Sequence, residues 1–141
     1  MPTKTIHYAI LPKVSAIAGA LDASGKDGAG VDTMGFNDAE LVACVGAVSG
    51  TPDSFTVTAA LEDSDDDGVE DAYAPVLVGT DPVVLSIIVA NGVARVALPE
   101  VGSRKRYVRV VLDAAFVAGT LPTVEAASFF LLGQCHTEPV A

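Results

Sequence analysis

Arg104-Lys105-Arg106-Tyr107-Val108-Arg109-Val110-Val111-Leu112 holds half of the eight basic residues in a chain of net charge -10. It runs straight into a β-branched stretch, and β-branched and aromatic residues suit a pleated, half-buried surface. A second apolar run, Val124 to Leu132, follows the turn Gly119-Thr120-Leu121-Pro122. Together they predict a long antiparallel hairpin with a basic entrance. Alternation puts Arg104, Arg106, Val108, Val110 and Leu112 on one side and Lys105, Tyr107, Arg109 and Val111 on the other. The stretch contains no nucleophile, no base and no ligand set. It points to a β scaffold that binds something, more than to an enzyme. Its basic residues either pair with the chain's own acidic loops or form a docking patch for an acidic protein surface, where Arg and Tyr are good anchors.

Working outward, Asn91-Gly92 separates the apolar runs Val83 to Ala90 and Val93 to Leu98. Both turn residues tolerate positive φ, so the pair predicts a tight hairpin. Val83 to Ala90 is apolar on both faces and predicts a central strand. Ser54 to Leu61 alternates cleanly, with Phe55, Val57, Ala59 and Leu61 facing one way. Leu41 to Val48 predicts a buried strand. Val14 to Ala20 and Tyr73 to Val78 add shorter ones, and residues 22 to 30 read as a loop. The sum is an all-β, antiparallel sandwich of about eight strands. Residues 1–13 are expected to be an extended N-terminal arm, with Ile6, Tyr8, Ile10 and Leu11 as pegs that close its own sandwich or reach a neighbour. Residues 14–134 form one domain, and residues 135–141 a tail.

The chain has 141 residues, 50% of them hydrophobic and only 6% aromatic. The core must therefore be built from Val, Ala, Leu and Ile. A pI of about 4.3 disfavours nucleic acid, which is held by Lys and Arg on phosphates. It equally disfavours an anionic membrane. Such a charge keeps a chain soluble and repels its own copies. No targeting segment is read, and no apolar run reaches the ~18 residues that span a bilayer.

Candidate chemistry is sparse. Asp63-Ser64-Asp65-Asp66-Asp67-Gly68-Val69-Glu70-Asp71 fits the opening of a calcium loop, in which alternate carboxylates converge on a hard cation. The match fails at Ala74, where a bidentate Glu belongs, so the competing reading is a solvated acidic turn. His7 and His136 lie at opposite ends, and Cys135-His136 lacks further ligands. Two cysteines do not make a disulfide scaffold. Two free thiols are expected, Cys44 in the core and Cys135 in the tail. Asp27-Gly28-Ala29-Gly30 has no following helix to make a phosphate cradle. No catalytic residue, cofactor or metal is assigned.

Some motifs resemble a family of small phage virion proteins that decorate or cement the head. They are Met1-Pro2-Thr3-Lys4-Thr5-Ile6-His7-Tyr8-Ala9-Ile10-Leu11-Pro12, Val31-Asp32-Thr33-Met34-Gly35-Phe36 with Glu40-Leu41-Val42, and Ser54-Phe55-Thr56-Val57. Leu61-Glu62-Asp63-Ser64-Asp65-Asp66, Arg106-Tyr107-Val108-Arg109-Val110-Val111 and Leu131-Leu132-Gly133 continue the resemblance. It implies a jelly-roll sandwich that binds the outside of the capsid in many copies, with the major capsid protein as partner. It also implies a homo-oligomer, trimer before dimer, made in the host cytoplasm. It carries no catalytic residues. The alternatives are a tail or head-tail joining module, and a calcium- or carbohydrate-binding sandwich.

Overall fold

The computed structural model describes residues 10–100 and 102–135, with the backbone alone at 134 and 135. The described residues form twelve strands in order: β1 (Ile10–Leu21), β2 (Lys26–Asp27), β3 (Val31–Asp32), β4 (Phe36–Ser49), β5 (Ser54–Ser64), β6 (Ala74–Pro75), β7 (Leu77–Val78), β8 (Asp81–Pro82), β9 (Val84–Ile87), β10 (Val93–Ala97), β11 (Tyr107–Val117) and β12 (Thr123–Cys135). There is no helix among the described residues. Residues 10–13 of the expected arm are the start of β1, and residues 1–9 lie outside the described residues.

Two sheets make the sandwich. The first has the order β1-β12-β4-β10. The second has the order β2-β11-β5-β6, with β3 also on β11 and β9 also on β5. Strands β7 and β8 form a separate ribbon, and every pairing is antiparallel.

The core follows from alternation. In β5, Val57, Ala59 and Leu61 are buried and Phe55 packs against them, as their period of two predicts. Strand β11 sends Val108, Val110, Leu112 and Ala114 inward, and β12 answers from the other sheet with Val124, Ala126, Phe130 and Leu132. Each fully buried Val or Leu contributes about 1.5–3 kcal/mol. With so few aromatics, Phe130 is the largest fully buried side chain.

The expected hairpin of β11 and β12 does not form. Strand β11 pairs with β5, β2 and β3, whereas β12 pairs with β1 and β4. The link between them crosses from one sheet to the other, with positive φ at Ala118, Gly119 and Leu121. Side by side in one sheet, the two apolar faces would need a further layer to cover them. Placed in opposite sheets, they cover each other.

Asn91-Gly92 repeats the lesson. The turn is tight, with Gly92 N donating to Val89 O at 3.1 Å and Asn91 at φ 58°. Yet β9 lies on β5 and β10 lies on β4, so this turn also changes sheet. Strand β9 is not central: β5 is its only partner among the described residues, and Val84, Ile88 and Val89 are exposed.

Two side chains of the first sheet serve the interior by hydrogen bonding. Ser15 sits at a register shift in β1, where its hydroxyl donates to Ala29 O at 2.8 Å and accepts from Val110 N at 3.1 Å. This ties the edge of the first sheet to the second. Ser128, fully buried, donates to Val42 O at 3.1 Å.

Candidate functional site

The basic stretch lies at the start of β11, and most of its charge is met within the chain. Arg106 makes a two-point pair with Asp32, Nε to Oδ1 at 2.9 Å and Nη2 to Oδ2 at 2.7 Å. Parallel N–H donors of a guanidinium match a carboxylate in this way. Lys105 Nζ lies 2.6 Å from Asp71 Oδ2, and its backbone N–H donates to Asp63 Oδ2 at 2.9 Å. Arg109 reaches Glu62 Oε2 through both Nε and Nη2 at 2.7 Å, with Asp27 at 3.8 Å. The Tyr73 ring lies over the Arg109 guanidinium at 4.4 Å.

Arg104 differs. It donates from Nε to Pro99 O at 3.0 Å and from Nη1 to Thr33 Oγ1 at 2.6 Å. Its Nη2 is buried without a partner among the described residues. Burial lowers its pKa, against the pull of Asp63 and Asp38. The stretch is therefore a set of internal ties to acidic loops, and three of its four cations are spent on carboxylates.

A double-mutant cycle on Arg109 and Glu62 measures one tie. Both side chains are mostly buried, at 23% and 18% exposure. Removing one partner strands the other, so Arg109→Met is expected to cost about 1–3 kcal/mol. The double variant with Glu62→Met should recover part of that loss in denaturant unfolding. Single and double losses that simply add would show that the pair is not coupled.

In the acidic loop Asp66, Asp67 and Asp71 turn to separate partners. Asp66 accepts from the backbone N–H groups of Val69 at 3.0 Å, Glu70 at 2.7 Å and Asp71 at 3.1 Å. Asp71 accepts from Asp65 N at 2.7 Å as well as from Lys105. Asp67 accepts from the Tyr73 hydroxyl at 2.6 Å. Burial, and then this bond, raise the Tyr73 pKa above the ordinary phenol value. Ser64 is buried under the loop, donating to Asp71 O at 2.6 Å and accepting from Gly68 N at 2.9 Å. Among the described residues, no three His, Cys, Asp or Glu side chains are grouped to hold a metal. Asp66 and Asp71 thus act as caps for the backbone of their own loop.

These bonds predict an acid response. Asp32 is lowered chiefly by its hydrogen bond from Arg106, Asp66 by the Glu70 N–H and Asp71 by Lys105. A carboxylate whose folded pKa is depressed adds stability that is fully present above the unfolded value, about 3.9. That stability is lost as pH falls through the lower folded values. The thermal midpoint should therefore drop as pH is taken below about 4, and Asp66→Asn should make the drop shallower. A midpoint that rises steadily from pH 6 to pH 2 would contradict these roles.

The remaining candidates stand apart. Cys44 is half-buried on the outer side of β4, its Sγ 3.7 Å from Ala127 O, and it does not join the interior cluster. The core position expected for it is taken by Ala43 and Val45 on the other face. Gly28 packs on Ser15 and donates to Val110 O at 2.7 Å, so its loop is a packing contact. His7, His136 and the Cys135 side chain lie outside the described residues. A broad depression of about 490 Å³ is lined by Asp63, Asp65, Val76, Leu77, Arg104 and Lys105. Its charges are of both signs, and Lys105 and Asp63 are already bonded to the chain.

The chain matches no protein-family model and no curated protein. No helix among the described residues is long and apolar enough to cross a membrane.

Proposed function

We propose that this chain is a non-enzymatic structural protein of a phage virion that binds the outer capsid surface and stabilises the head. The observation that carries the reading is the strand order. The first and last long strands, β1 and β12, are neighbours in one sheet. The links β4 to β5 and β11 to β12 each change sheet. Two facing sheets of this order fit a jelly roll, the arrangement of viral capsid and lectin domains. The resemblance in the sequence implies the same fold.

The residue chemistry supports a scaffold. The basic stretch and the acidic loop hold one another in place. The partner in this reading is the major capsid protein, and neither nucleic acid nor membrane takes part. The protein would work by shape and by contact area repeated over a lattice, with no cofactor. A tail or head-tail joining module is the competing assignment within the virion.

Antibody labelling of purified virions tests the proposal. Label spread evenly over the head supports it. Label confined to one vertex or to the tail moves the chain to the competing assignment. Absence of the protein from virions purified by density gradient overturns both.

A further inference from the structure

The turn between β9 and β10 carries a reactive pair that its own geometry holds in check. Gly92 N donates to Val89 O at 3.1 Å. Asn91, the third residue of the turn, has φ 58°, and Ala90 before it keeps an ordinary negative φ. This is the form of a type II turn, whose third position needs positive φ and takes Gly or Asn. The fourth position must be bare. A Cβ on Gly92 would lie 2.8 Å from Val89 O and 2.9 Å from Ile87 Cγ2. The fold therefore requires Asn or Gly at 91 and Gly at 92.

An Asn followed by Gly readily loses its side-chain amide, because no Cβ shields the Gly nitrogen. That nitrogen gives its proton to a base in the solvent and attacks Asn91 Cγ. A new C–N bond closes a cyclic imide. The bond from Cγ to Nδ2 of Asn91 breaks, and ammonia leaves with a proton from the solvent. Water then opens the ring at either carbonyl. The product is an aspartate at position 91, joined to Gly92 through its main chain or through its side chain.

We propose that Asn91 is a deamidation site gated by this turn, closed while the turn holds and reactive when it opens. The inference does not depend on the virion reading. Two observations close the folded site. In a type II turn ψ of the third residue is about 0°, which turns its Cβ away from the following nitrogen. Ring closure needs the two side by side. The flanking peptide groups are also held. Asn91 N donates to Gly46 O at 3.1 Å, and Gly92 O accepts from Val45 N at 3.0 Å. The attacking nitrogen must leave Val89 O, and rotation about Asn91 must break these two ties to β4.

The gate is lightly built. Ala90 and Asn91 are exposed, as are Ile88 at 67% and Val89 at 64%. Hydrogen bonds hold residues 88–91 with little apolar burial, and such segments open locally at less cost than the whole fold. Reaction would leave a structural mark. The side-chain-linked product adds a carbon to the main chain between Asn91 N and Gly92 O, so the bonds to Gly46 and Val45 cannot both keep their register.

Peptide mapping by mass spectrometry tests this. The intact protein is held in mildly alkaline buffer, folded or in concentrated urea, and the peptide containing Asn91 is followed for conversion of amide to acid. It should convert in urea, and at least about tenfold more slowly in the folded protein. Ala90→Gly loosens the second turn position and should speed the folded reaction several-fold. Ala90→Pro, whose ring suits that position, should slow it. Neither variant should change the rate in urea. Equal rates in folded and denatured protein overturn the proposal, as does a folded rate that ignores both Ala90 variants. No conversion in urea would show that Asn91 is not a deamidation site.

Discussion

Phe130→Ala is expected to destabilise the protein by about 3–5 kcal/mol in denaturant unfolding, among the largest losses of any single truncation. Phe130 is wholly buried on β12, paired with Leu41 of β4. Across the gap it meets a core of Val, Leu and Ala side chains. These are short or branched and have little reach to fill the hole left by a ring. The cavity term should therefore stay near the upper end of its range. Against a typical total of about 5–15 kcal/mol, the variant sits close to unfolding at ambient temperature. Phe130→Leu, which keeps most of the volume, should cost less than half as much. Equal losses for the two variants would show that ring volume is not what this core needs.

The second large effect is expected at the end of the sandwich where the β4–β5 and β11–β12 links meet. Thr120 N donates to Gly50 O at 2.8 Å, and Asp53 N donates to Val117 O at 2.8 Å. The links interlock so closely that a Cβ on Gly50 would lie 2.5 Å from Thr120 O and 2.6 Å from Pro122 Cα. Both atoms are backbone and cannot swing aside. Gly50 also holds φ +82°, a conformation costly for a β-branched side chain. Gly50→Val adds that strain to the clash, for a loss of roughly 2–5 kcal/mol. Gly35→Ala separates the two causes. Gly35 holds φ +88° with nothing within 4 Å of its would-be Cβ. It should lose only the conformational part, about 1 kcal/mol. Matching losses at the two sites would show that the interlock is looser than the geometry implies.

That same end explains what the sequence concealed. Alternation in Ser54 to Leu61 and in Val108 to Leu112 identified strands and their inward residues, because burial on one face imposes a period of two. Turn chemistry, however, specifies only a change of direction. Asn91-Gly92 and Gly119-Thr120-Leu121-Pro122 have the composition of hairpin turns, yet both carry the chain to the opposite sheet. What decides is the pairing of strands distant in sequence, such as β1 with β12, which no local pattern encodes.

The candidate site was legible to the same depth. The unusual density of Arg and Lys before β11 was plain, and so was the choice between internal pairing and docking. The partners were not, because Asp32 lies 74 residues from Arg106 and Glu62 lies 47 from Arg109. Strands β4 and β12 did leave a signal. Leu41 to Val45 and Phe129 to Leu132 are apolar at successive positions, which requires cover on both faces. The sequence reads Leu41 to Val48 as a buried strand and Val124 to Leu132 as one arm of a hairpin, and central placement is expected only of Val83 to Ala90; it is β4 and β12 that lie inside a sheet.

The placement of the chain on a capsid exterior is tested most directly by titrating purified protein onto expanded capsids that lack it, with bound protein quantified after sedimentation. Binding that saturates at a fixed ratio to the major capsid protein, set by the lattice, is the predicted result, with little binding to isolated capsid subunits. No saturable binding to the expanded capsid would contradict it.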